Sequence, residues 1–221
     1  MIATGLFYGL TGIAAIPLML AWAVLRGTKG KRRTANAFLW VQAAALRLIG
    51  IRTEVTGLDR IPQGPVIFAA QHESAWETMH FTRLLGNPAM FAKAELFDMP
   101  LIGWVARRMG HIPLARGGSL DGIRASLRQG ADAAAAGRSL LIFPSGTRRA
   151  STADIRAGVG VLYQMTDLPV VPVRVSSGHC WPARGWPLRP GTIRVELCPP
   201  IPAALPRADM LARLQAKIGN D

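Results

Sequence analysis

Acidic residues and cysteines are scarce in this chain of 221 residues. Thirteen Asp and Glu face 26 Lys and Arg, leaving a net charge of +13, so the chain attracts polyanions: nucleic acid, anionic lipid or a phosphorylated substrate. The two cysteines, Cys180 and Cys198, have neither metal-ligand spacing nor the density of a disulfide framework. They predict no metal site, and a reducing cytosolic setting with two incidental thiols. No nucleic-acid recognition motif accompanies the positive charge, which argues against DNA or RNA as the partner. No G-x-S-x-G signature is present, which argues against a serine acyl-enzyme. An apolar fraction of 50% supports a real core and excludes disorder.

Charge is also absent from Met1 to Leu25 (MIATGLFYGLTGIAAIPLMLAWAVL), which Arg26, Lys29, Lys31, Arg32 and Arg33 follow. A secretory signal carries its charge before the apolar run and ends at a small-residue cleavage site. The order here is the reverse, so the segment is expected to be retained as a membrane anchor. At about 1.5 Å per residue it reaches across a hydrocarbon core of about 30 Å, although Gly5, Gly9, Gly12 and Pro17 weaken it as a straight span. A second apolar piece, Ala35 to Ile49, is too short to span, carries Gln42 and Arg47, and reads as interfacial. Two arrangements stay open: one spanning helix, or a helical hairpin in one leaflet. Both place the basic cluster, and all that follows, on the cytoplasmic face of the cell membrane against anionic lipids. Residues 1–50 are thus expected to form a membrane-binding helical segment and residues 51–221 a single domain.

Beyond Ile51 short apolar runs alternate with helical patterns. Strands are expected at Arg52 to Thr56, Val66 to Ala70, Ala89 to Ala92, Ser139 to Phe143, Val170 to Val175 and Thr192 to Leu197. Helices are expected at Ala75 to Leu85, Leu101 to Met109, Leu120 to Ala136, Val159 to Thr166 and Ala208 to Ile218. The pattern is α/β, with no internal repeat.

Four blocks carry the chemistry. QHESAWET (residues 71–78) follows the apolar run VIFAA, just past a strand's carboxyl end, where open α/β sheets hold their ligands. Ser74 and Glu77 fit a helix capping box. The same Glu77, reached by His72 folding over the first helical turn, also fits the partner of a general base that takes a proton from an alcohol. Both readings stand at this point. Gly110 to Arg116 (GHIPLAR) and Phe143 to Arg149 (FPSGTRR) end in arginines, and the second offers backbone N–H groups, a hydroxyl and a guanidinium at a strand end, a set suited to phosphate. Leu168 to Val173 (LPVVPV) reads as a buried strand.

In order and spacing these blocks resemble the phosphoglycerol acyltransferase family, with its H-x-x-x-x-D, G-x-I-P-x-x-R-like, F-P-E-G-T-R and V-P-V motifs, and most of all its bacterial members that acylate 1-acylglycerol 3-phosphate. The likeness runs from about Gly57 to Pro200 and takes in Ala92 to Trp104 and Arg189 to Pro202. It implies a single mixed-sheet acyltransferase domain flanked by helices, behind the amino-terminal membrane-binding segment. It also implies an O-acyltransferase that needs no cofactor, with acyl-CoA or acyl-carrier protein as donor and lysophosphatidate as acceptor. His72 would be the base and Glu77 its orienter, while Arg116, Gly146, Thr147 and Arg148 would hold the acceptor phosphate. Glu77 stands where the family has Asp, and Ser145 where it has Glu, so Ser145 inherits no charged role. Another lysolipid acceptor, such as lyso-ornithine lipid, and a non-catalytic lipid-binding protein on the same fold are the alternatives.

Overall fold

A computed structural model describes residues 2–24, 28–114, 120–146, 158–184 and 186–219. Seven strands form one mixed sheet: β1 (Ile51–Thr56), β2 (Ile67–Ala70), β3 (Ala89–Lys93), β4 (Ile112–Leu114), β5 (Leu140–Ile142), β6 (Val170–Ser176) and β7 (Gly191–Leu197). Their order is β1-β7-β6-β2-β5-β3-β4. The helices are α1 (Ile2–Val24), α2 (Thr28–Leu48), α3 (Ala75–Leu84), α4 (Glu95–Asp98), α5 (Pro100–Arg108), α6 (Leu120–Ala135), α7 (Gly158–Thr166) and α8 (Arg207–Ile218). The expected α/β class, with helices flanking the sheet, is present. Strand β4 and helix α4 are additions to the expected elements.

The chain forms two compact units, each assembled from separated segments. The first comprises Met1–Glu54, Glu73–Gly86 and Ser176–Arg194, and the second Val55–His72, Asn87–Val175 and Val195–Asp221.

In the first unit α1 packs on α2, and α2 on α3. Phe7 is fully buried and meets Trp181 edge-on at 5.2 Å. The Leu188 amide donates to Thr4 Oγ1 at 3.0 Å. Across the α2/α3 contact Gln42 Nε2 donates to Met79 Sδ at 3.4 Å, and the Arg83 guanidinium lies 4.4 Å over the Trp40 ring. Helix α2 begins well before Ala35, because Lys and Arg are good helix formers and continue the helix toward its amino end. Helix α1 is long and apolar enough, over Ile2–Ala21, to cross a membrane, with a mean hydropathy of 1.6. Ile2, Leu6, Ile13, Ile16, Leu20 and Val24 all point outward from it.

In the second unit β2 pairs in parallel with β5 (Ile67 opposite Leu140) and β6 (Ile67 opposite Val170), and β3 pairs in parallel with β5 and β4. The carboxyl ends of these strands therefore share one edge of the sheet. Every residue of β2 and β5 is buried, as continuous apolar runs in a sheet covered on both faces require. Pro172 sits inside β6 without breaking it. A residue's N–H and C=O project to the same side of a strand, and the Pro172 carbonyl accepts from Cys198 N at 2.9 Å, just past the end of β7. The N–H that proline lacks thus faces the segment just past β7 rather than β2.

Arg138 ties three loops of this unit together. Its guanidinium donates to the carbonyls of Asn87 (3.1 Å), Pro88 (3.2 Å), Met109 (2.7 Å) and Gly110 (2.9 Å). Beside it His111 Nδ1 accepts from Met90 N at 3.3 Å. Burial first, and the Arg138 charge second, lower the His111 pKa to about 4, so the imidazole is neutral.

Candidate active site

The chain leaves β2 at Ala70 and β5 at Ile142, two neighbouring parallel strands, so the segments that follow emerge side by side. His72 and Phe143 are in those segments, and their rings stack at 4.2 Å and 25°. Gln71 fixes the turn that carries His72. Its amide nitrogen donates to Val173 O, its Nε2 donates to Ile218 O, and its Oε1 accepts from Val175 N, each at 3.0 Å. Phe143 to Gly146 forms a buried turn closed by Gly146 N donating to Phe143 O at 2.9 Å. Gly146 has φ +70°, a conformation that a side chain would strain. The first and third sequence blocks are thus brought together at the sheet edge through His72, Phe143 and Gly146. Strand β4 ends at Leu114, shortly before Arg116. Arg116, Thr147 and Arg148 lie outside the described residues.

Glu77 belongs to the first unit. Ser74, extended at φ −146° and ψ 178°, caps α3, and its Oγ accepts from Trp76 N at 3.1 Å. The Glu77 carboxylate returns to accept from Ser74 N at 2.9 Å, which completes the capping box. It also accepts from Ser74 Oγ at 3.1 Å and from Ser177 Oγ. Glu77, Ser74 and Ser177 are each 0% exposed. One turn earlier, the Glu73 carboxylate accepts from the backbone N–H groups of Ser177 and Gly178, both at 2.7 Å.

A cap alone does not account for this arrangement. An N-terminal cap contributes about 1 kcal/mol and works at the surface, whereas withdrawing a carboxylate completely from water costs several kcal/mol before its hydrogen bonds are counted. The same helix carries His80, stacked on Trp76 at 4.8 Å. Burial, and then the Arg83 charge, lower the His80 pKa to about 4, and among the described residues its Nε2 has no hydrogen-bond partner. His80 is therefore a neutral packing residue. Gln71, Glu73 and Ser177 were not foreseen, and no local pattern marks them; the nearest signal for Ser177 is that it follows the apolar run of β6.

A family model described as Acyltransferase matches residues 52–176. The chain belongs to the acyltransferase family. Over 152 residues, 68% of this chain, it is 33% identical to a 1-acyl-sn-glycerol-3-phosphate acyltransferase of Pseudomonas aeruginosa, of which it spans 59%. A lyso-ornithine lipid O-acyltransferase of the same organism is 30% identical over 143 residues, 62% of this chain and 54% of that protein. The chain thus spans a little over half the length of these acyltransferases. The crystal structure of the 1-acyl-sn-glycerophosphate acyltransferase of Thermotoga maritima superposes with a TM-score of 0.73 at 20% identity, over 97% of this chain and 92% of that one. At that identity the match establishes the acyltransferase fold.

Proposed function

We propose that this chain moves a fatty acyl group from the thioester of acyl-CoA or acyl-carrier protein to the sn-2 hydroxyl of 1-acylglycerol 3-phosphate, forming phosphatidate for phospholipid synthesis. His72 is the general base. It takes the hydroxyl proton as the oxygen attacks the thioester carbonyl, the carbon–sulfur bond then breaks, and the imidazolium returns the proton to the departing thiolate. Glu77 orients that imidazole and stabilises its charged form. Arg116, Gly146, Thr147 and Arg148 hold the acceptor phosphate. The observation that carries the reading is the complete burial of Glu77 at the start of the helix that His72 precedes by a few residues, an expense that helix capping does not require.

Residues 1–50 bind the cytoplasmic face of the membrane through the exposed apolar side of α1 and the basic residues that follow it, and residues 51–221 carry the transfer chemistry. A second reading, lyso-ornithine lipid as acceptor, is favoured by Ser145, which removes a carboxylate from the phosphate block, and by the relative named for that lipid. Purified protein given labelled acyl-CoA or acyl-carrier protein with each acceptor separates these readings. Phosphatidate should be the faster product, and His72→Ala should lower its formation by roughly 100- to 10,000-fold. Faster acylation of lyso-ornithine lipid reassigns the acceptor, and full activity of His72→Ala overturns the mechanism.

A further inference from the structure

We propose that Ser177 is a positioning residue for the transfer reaction, acting through Glu77. The proposal rests on the reading of Glu77 as the partner of the base. A carboxylate that is to orient an imidazole must itself be held in one rotamer, with its unused lone pairs occupied. On Glu77 the Oε2 atom is taken by the Ser74 amide, while Oε1 accepts from the hydroxyls of Ser74 and Ser177. Ser74 Oγ is committed to capping, since it also accepts from Trp76 N. Ser177 Oγ lies 2.9 Å from Ser74 Oγ as well, so it joins both ends of the capping box from outside the helix.

Ser177 is built into place for this contact. Its own N–H and that of Gly178 both donate to the Glu73 carboxylate at 2.7 Å, which ties the turn after β6 to the residue that follows His72. The clamp is made by backbone groups, so it survives removal of the Ser177 side chain. Ser177→Ala therefore deletes one hydroxyl from a buried carboxylate without releasing the turn that carries it. The hydroxyl thus comes to Glu77 from a residue 100 positions away in sequence.

The test is a double-mutant cycle on phosphatidate formation with Ser177→Ala, Glu77→Gln and the double variant, alongside Ser177→Thr. Loss of a hydrogen bond to a charged group should lower kcat of Ser177→Ala by about ten- to a hundredfold, with the KM values of both substrates unchanged. In the Glu77→Gln background the same change should cost less than about twofold, because the carboxylate it served is gone. Ser177→Thr should recover most of the rate by restoring the hydroxyl. Equal losses in both backgrounds, or unchanged kcat in Ser177→Ala, overturn the proposal. Should Glu77→Gln itself be fully active, the reading of Glu77 fails, and this outcome is distinct from an inert Ser177 beside a Glu77 that matters.

Discussion

Acid should destabilise this protein through two histidines that take no part in the proposed chemistry. His80 and His111 are held near pKa 4 in the folded chain, against about 6.5 for an unfolded imidazole. Between those values the unfolded chain binds protons that the folded chain refuses, so stability falls as pH is lowered through the window. Between pH 7 and pH 5 linkage gives a loss of about 2 kcal/mol for a fully buried imidazole. His80, 6% exposed, should show this in full, and the less buried His111 somewhat less. Urea unfolding in detergent, followed by tryptophan fluorescence at pH 7, 6 and 5, measures the slope. Other titrating groups contribute to it, so the decisive comparison is with His80→Leu. Among the described residues Nε2 has no hydrogen-bond partner for the variant to lose, and its pH 7-to-5 loss should be smaller than that of the parent by about 2 kcal/mol. An unchanged slope in His80→Leu would show that His80 charges freely in the folded protein, and would refute the argument from burial.

Arg138→Lys should destabilise the protein by about 2 to 4 kcal/mol, read as a lower urea midpoint, because an ammonium group cannot reach the four carbonyls that the planar guanidinium joins. Replacing the exposed Ile16 and Leu20 of α1 by Asn should leave the urea midpoint in place and weaken flotation with anionic vesicles at least tenfold, since each apolar side chain inserted contributes about 1.5 to 3 kcal/mol.

The α/β frame was readable because the central strands are buried on both faces and so appear as unbroken apolar runs such as LLI and VVPV. The start of α3 was readable for a different reason: a capping box is a local signal, contained within Ser74 to Glu77. Strand β4 escaped because three residues, IPL, inside a motif block are too few for a period to register. The early start of α2 escaped because its first turns are basic rather than apolar. At the site, His72 and Glu77 stood out by residue type, while Ser177 did not. A serine after a strand is common, and what sets this one apart is a carboxylate 100 positions away. Arg138 is hidden in the same way, since its partners are carbonyls, which every residue possesses.

The first unit is stitched from the beginning of the chain, a stretch about a third of the way along it and one in its last fifth, and this orders events during synthesis. Helix α1 leaves the ribosome ahead of the rest of this unit, yet Thr4 finds its partner Leu188 only after 184 further residues have been made. Trp181, against which Phe7 packs, and Ser177, which holds Glu77, arrive equally late. Until then an apolar helix is exposed with much of its tertiary support missing, and the lipid surface is the one solvent that accepts it. On the proposed reading the nascent chain lodges at the membrane before Glu77 has its seat, and completes its fold beside the lipid proposed as its acceptor.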